Sequence, residues 1–162
     1  MATDGPAKAK PKARRDTRLE SEGAEFLVLG QLLIAGIEAH KAYTRYPGYD
    51  LVALNPERDK TCRIQVKSRW ATDYDGGFLI KNFDCDFVVH VALNRGYSYR
   101  RPKAGEDAVK PPVSWVIPAK VAEESQYAAS SWGKVYLRDI PDREQYHENW
   151  DLIRRFLELP AP

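Results

Sequence analysis

Asp50 opens one apolar run, YDLVALN (49–55), and Gln65 and Lys67 stand two apart in the next, CRIQVKSRW (62–70). An acid, an amide and an ammonium on neighbouring extended segments admit two readings. One is an ordinary hairpin whose polar positions are solvated. The other is convergence on a divalent cation and a phosphate. A carboxylate and an amide offer the oxygen donors a hard cation takes, and an ammonium suits a phosphate oxygen. Glu25, inside the apolar stretch AEFLVLGQLLI (24–34), is a fourth candidate. A carboxylate beside a buried helical face is costly unless paired, protonated or turned to a metal, whereas in an exposed first turn it merely suits the helix dipole.

These residues need elements to position them. Residues 19–35 carry Phe26, Leu29 and Leu33 at helical spacing, with Leu27, Val28, Leu32 and Ile34 on the other sides. The pattern predicts a helix buried almost all round, with Ser21 as a cap and Gly36 as its end. A strand over 37–43, a turn at 45–48, a strand over 49–55 and a polar connection at 56–61 follow. The strand over 62–70 alternates cleanly. Cys62, Ile64, Val66, Ser68 and Trp70 face one way; Arg63, Gln65, Lys67 and Arg69 face the other. Gln65 and Lys67 therefore share a face, and Asp50 reaches them if the register permits, since paired strands lie about 4.8 Å apart. Further strands are predicted over 83–94 and 113–118, with a loop at 95–112 between them. A short helix at 119–124 and a strand or irregular segment at 132–140 lead to a closing helix at 143–159. Its inward stripe would be Tyr146, Trp150, Ile153 and Phe156 or Leu157.

The chain of 162 residues, 43% apolar and 30% charged, has globular composition and length for one core without staples. No apolar run is long enough to span a bilayer, and the charged N-terminus lacks the apolar core of a secretory signal. Cys62 and Cys85 read as reduced, packed thiols of a cytoplasmic protein. Residues 1–18 hold six cations against Asp4 and Asp16, so they carry +4 and the rest −2 of the net +2. We read 1–18 as a disordered basic tail, serving solubility or gripping phosphate, and 19–162 as a single domain.

Helix with Glu25, strand, strand opening on Asp50, strand with Gln65-Val66-Lys67: in this order the chain resembles the PD-(D/E)XK nuclease superfamily. The resemblance spans about residues 22–70, with FDCDFVVHVAL (83–93) as the next core strand. Asp50 matches the acid of the second core strand, Lys67 the lysine, Val66 the x position and Glu25 the helical Glu. Gly48-Tyr49 replaces the proline of the pattern, which does no chemistry. Gln65 replaces the second acid, a Gln-x-Lys variant found in small prokaryotic members that include intron-associated endonucleases. The resemblance implies an α/β (α+β) restriction-endonuclease-like core, a central mixed β-sheet flanked by helices. It implies a metal-dependent endonuclease acting on DNA, using Mg²⁺ or Mn²⁺. Asp50, Gln65, the Val66 backbone carbonyl and Glu25 would hold the metal, and Lys67 would face the scissile phosphate. Losing one acid predicts weaker metal affinity in the free protein, offset by phosphate on binding. A homodimer or higher oligomer is expected, because double-strand cutting usually needs two sites. A different outcome is a nuclease-fold module that has lost its chemistry and binds DNA or a protein partner.

Other residues are less specific. Arg63, Arg69 and Arg45 suit phosphate contacts, and suit a solvated strand face or turn equally well. His90, inside FVVHVAL, reads as a hydrogen-bonded core residue and His147 as helix surface. Asp84 and Asp86 read as loop and strand-edge acids. Trp70, Trp115, Trp132 and Trp150 read as core or subunit-contact residues before base-stacking ones.

Overall fold

The computed structural model describes residues 16–43, 48–97 and 108–162. Arg45, residues 1–15 of the basic tail and the middle of the predicted 95–112 loop lie outside the described residues.

Helix α1 (Arg18–Ile34) buries Ala24, Val28 and Leu32, four residues apart, and Gly36 at φ +71° ends it as the pattern predicts. It begins one turn before Ser21: the Asp16 carboxylate accepts the Arg18 N–H at 2.9 Å. The expectation of burial all round is also corrected, because Leu19, Phe26, Leu33 and Ile34 are exposed. The first three fall seven residues apart and make one outward stripe.

Strands β1 (Glu38–Lys41), β2 (Leu51–Asn55), β3 (Lys60–Ala71), β5 (Phe87–Tyr97) and β6 (Val113–Pro118) form a mixed sheet in the order β1-β2-β3-β5-β6. Only β3 and β5 run parallel; the other pairs are antiparallel. The chain between them contributes β4 (Gly77–Leu79), which pairs with β7 (Lys134–Tyr136) as a separate two-stranded sheet. Strand β4 falls where the sequence pattern leaves a loop, and β7 takes the strand form of the segment over 132–140. Helices α2 (Ala119–Glu124) and α3 (Asp151–Phe156) complete the α+β architecture.

Alternation sorts the core onto two faces. Cys62, Ile64 and Val66 of β3 pack with Val89 and Val91 of β5 beneath α1 and α3. On the other face Val88 and Ile117 meet Phe78, Val135, Leu137 and Ala122. A register shift between Arg69 and Ala71 ends the clean alternation before Trp70, which is half-buried. Strand β5 runs on to Tyr97, past the predicted end at Asn94, and Arg95 bridges Val109.

The predicted closing helix is broken. A 3-10 turn covers Arg143–Tyr146, α3 starts only at Asp151, and Glu148 sits at φ +47° between them. The reason is tertiary. Glu148 exchanges bonds with the backbone of Ser114, and His147 bridges Trp115, so this segment completes the edge of β6. Local helical preference yields to those partners. Among the described residues, no helix is long and apolar enough to cross a membrane.

His90 is fully buried, stacked on Phe78 at 5.2 Å and flanked by Trp115 at 6.0 Å. It is a core residue, but neither ring nitrogen has a hydrogen-bond partner among the described residues. Burial, with the charge of Arg69 adding, lowers its pKa to about 3. The folded state thus resists a proton that the unfolded chain takes near pH 6.5. Stability is therefore present above pH 6.5 and lost as pH falls toward 3, at up to about 1.4 kcal/mol per pH unit. Denaturant melts across that window should show a steeper loss of stability in wild type than in His90→Leu, by up to this amount. Equal slopes would mean His90 is not neutral and dry.

Candidate active site

The site forms where β2 ends and β3 continues. Pairing stops at Leu51 against Ile64, and the Asp50 N–H still donates to the Ile64 carbonyl at 2.8 Å. Past this point β3 has β5 on one side and an open edge on the other. An unpaired N–H at such an edge needs an acceptor. Asp50 supplies it: Oδ2 accepts the Val66 N–H at 2.7 Å and the Gln65 Nε2–H at 2.6 Å. Backbone N–H and C=O of one residue point to the same side of an extended strand, so the Val66 carbonyl also faces this edge. Among the described residues, Asp50 Oδ1 has no hydrogen-bond partner.

Lys67 lies one step further on the Gln65 face, opposite His90 on β5. Among the described residues no carboxylate lies within ion-pair distance of it. Burial lowers its pKa; the Asp50 charge opposes this, and Arg69 adds to it. Glu25 comes from α1, on the other face. Burial raises its pKa, a hydrogen bond from Lys41 opposes, and the charge of Asp50 raises it further. Burial also raises Asp50, against the Val66 N–H, the Lys67 charge and the Gln65 amide. The four sequence-predicted residues are thus coupled through Asp50, which touches Gln65 and feels Lys67 and Glu25 from opposite faces.

Lys41 is the residue that the sequence reading missed. Its Nζ lies 3.0 Å from Glu25 Oε2 and also contacts Glu22, and its side chain is only 7% exposed. Burial pulls its pKa down, but the two glutamates more than offset that and the net shift is upward. A signal existed: Ile37, just before β1, and Ala39 within it are buried at alternate positions, and Lys41 continues that series. Glu20 was missed too. It is buried on the inner stripe four residues before Ala24, and the Ser68 hydroxyl donates to it at 3.4 Å.

The arginines divide. Arg63 is held by Asp84 and, at 3.5 Å, by Asp86, so its charge is locally compensated. Arg69 donates to the Ser68 carbonyl at 2.7 Å and lies 5.9 Å from the Tyr74 ring, beside Lys67 on the same face.

No group of three or more His, Cys, Asp or Glu side chains gathers as a metal site among the described residues. The available donors are of another kind: the two acids Asp50 and Glu25, the Gln65 amide oxygen and the Val66 carbonyl. Gln65 commits its nitrogen to Asp50, which leaves its oxygen for another partner. All four donors are oxygen, the ligand type of Mg²⁺ and Ca²⁺, and burial raises both carboxylates despite the opposing charges of Lys41 and Lys67. The set fits a hard divalent cation.

The mixed five-stranded sheet with its flanking helices is a nuclease-like α+β fold. The chain is similar to the solved structure of a bacterial homing endonuclease, I-Ssp6803I, at 21% identity and a TM-score of 0.53. That similarity covers 88% of this chain and 94% of the other, and it is a likeness of fold. No protein-family model matches the chain, and no curated protein matches it.

Proposed function

We propose that this protein is a metal-dependent endonuclease that hydrolyses DNA phosphodiester bonds, of the PD-(D/E)XK type with a Gln-x-Lys motif. One observation carries the reading. At the open edge of β3, Asp50 and Lys67 are two half-buried charges of opposite sign, each disfavoured by burial and neither in an ion pair among the described residues. A cation answers the first and a phosphate answers the second.

Asp50, Gln65, the Val66 carbonyl and Glu25 would hold Mg²⁺ or Mn²⁺. When bound, such a cation polarises the phosphodiester and makes water easier to deprotonate. Lys67 places its ammonium against the phosphate and stabilises the negative charge that builds on its oxygens. Asp50 fixes Gln65 and the Val66 peptide in place before substrate arrives. Lys41 keeps Glu25 and Glu22 from repelling Asp50 while the site is empty of phosphate. Arg69 is placed to meet a neighbouring phosphate; Arg63 must first give up Asp84 to do so. Water attacks phosphorus, the bond to the leaving oxygen breaks, and no covalent enzyme intermediate is needed. The two cysteines are free, buried thiols, which suits work in the cytoplasm.

The test is an assay of the full chain with Mg²⁺ on supercoiled, linear, branched and single-stranded DNA. Cutting of at least one supports the reading; none, with Mn²⁺ as well, removes it. Gln65 in place of a second acid favours a second reading, a DNA- or protein-binding module without chemistry. That module would bind DNA in the same assay and cut nothing.

Two copies would give the two sites that double-strand cutting needs, and the outward stripe of α1 supports a homodimer or higher oligomer. Exposed apolar side chains in line on one helix mark a contact surface. Light scattering should give a multiple of the chain mass for wild type and a single-chain mass for Leu33→Glu, with circular dichroism unchanged. A single-chain mass for wild type would exclude α1 as a subunit contact.

A further inference from the structure

Away from the cleft, an open groove of about 460 Å³ lies against the small sheet, between Leu79 of β4, Lys134 and Tyr136 of β7 and the turn that carries Tyr127 and Trp132. Its aromatic rings are presented outward. Trp132 is 65% exposed, Tyr127 51% and Leu79 47%. Of the core or subunit-contact reading of Trp132, the core half is thereby corrected. The platform is held in shape: Tyr127 meets Tyr136 edge-on at 5.8 Å, and Gln126 Nε2 donates to the Ile80 carbonyl at 2.9 Å. Gly133 turns at φ +67°, where any Cβ would strike that same carbonyl.

Cations surround the rings. Lys81 Nζ lies 5.2 Å from the Trp132 ring, and Lys134 Nζ and the Arg138 guanidinium each lie 4.6 Å from the Tyr136 ring. Among the described residues neither lysine has a carboxylate within ion-pair distance, and Arg138 has only the exposed Asp139 at 3.9 Å. A groove built for an apolar peptide has no use for uncompensated cations. Flat exposed rings interleaved with cations match a ligand that is itself flat-ringed and anionic at short intervals.

We propose that this groove binds an unpaired nucleic-acid segment, with a base stacked on Trp132 or Tyr127 and the flanking phosphates met by Lys81 and Lys134. Only the choice of DNA rests on the endonuclease reading above; the binding itself does not. Position links groove and cleft. Lys81 lies three residues before Asp84, at most about 11 Å of chain. The Asp84 side chain packs against Gly48, where a Cβ would come within 2.9 Å, and Gly48 stands two residues before Asp50. One short segment therefore joins the groove's edge to the mouth of the cleft. A substrate unpaired a few nucleotides from the scissile phosphate would engage both.

Full-length Asp50→Asn protein, titrated against labelled oligothymidylate, oligodeoxyuridylate, oligouridylate and a duplex of equal length, tests this by fluorescence anisotropy. The oligothymidylate should bind, and adding Trp132→Ala should weaken it roughly tenfold while duplex binding is unchanged. Trp132→Phe should restore most of the affinity, and Lys81→Ala with Lys134→Ala should reduce its salt dependence. Oligodeoxyuridylate, which differs from oligouridylate only in the sugar, assigns DNA if it binds more tightly; equal binding supports a groove indifferent to the sugar. Oligothymidylate binding that survives Trp132→Ala overturns the proposal. So does no binding of any single strand, including the case where Trp132→Ala instead abolishes self-association, which would make the groove a protein contact. Failure of wild type to cut any DNA would sink the endonuclease reading and leave this result standing.

Discussion

Lys67→Met is expected to lower Mg²⁺-dependent nicking of supercoiled DNA by roughly 10³-fold, the scale of losing one transition-state stabilising group. DNA binding should survive, since Arg69 and the rest of the surface remain. The same substitution should raise the melting temperature at neutral pH. The two effects have one cause. Lys67 carries its ammonium half-buried, without an ion-pair partner among the described residues, and burial and Arg69 both disfavour the charge. The folded pKa lies below the ordinary lysine value. Lys67 therefore contributes stability above the unfolded pKa, and that contribution is lost as pH falls through the folded pKa. At neutral pH the charge is a cost, and methionine of similar length removes it. Wild type should gain stability on the alkaline side where Lys67→Met does not. Unchanged cutting, or a variant that melts lower, would show that Lys67 is an ordinary solvated strand residue.

Asp50→Asn should abolish cutting and also stabilise the fold near neutrality. Burial raises the Asp50 pKa despite the Val66 N–H and the Lys67 charge. A raised acid contributes stability that is fully present below the unfolded value and is lost as pH rises through the folded one. Above that folded value the whole cost is borne. Asparagine keeps an oxygen in the place of Oδ2, where it accepts from both the Val66 N–H and the Gln65 Nε2–H, so the geometry survives. Thermal melts should place the variant above wild type at pH 7, with the gap closing toward pH 4. A variant that melts lower at pH 7 would make the Asp50 carboxylate a structural cap for β3 and no more. Protein sites that bind charge often hold such unmet demands at the expense of stability.

The sheet and its polar face were legible because they follow from alternation. Cys62, Ile64, Val66 and Ser68 are buried, Gln65 and Lys67 share the other face, and Gly36 ends α1. What stayed hidden depends on partners distant in sequence. The closing helix breaks because Glu148 binds the backbone of Ser114, and strand β4 is three residues long, too short for any period to show. Burial of α1 was overread because an apolar residue count does not say which side another element will cover. The acid–amide–lysine core of the site was readable because its members lie on adjacent strands. Lys41 was not, since its role comes from Glu22 and Glu25 across the helix–sheet interface.

Calorimetric titration of the full chain with Mg²⁺, wild type beside Asp50→Asn, tests the shared cation site most directly. Repeating it with DNA present calls for Ca²⁺, which takes the same oxygen donors. Wild type should give binding heat that DNA strengthens, and Asp50→Asn should give none. Equal heat in both proteins, or no heat from wild type even with DNA, would contradict a divalent cation held at Asp50.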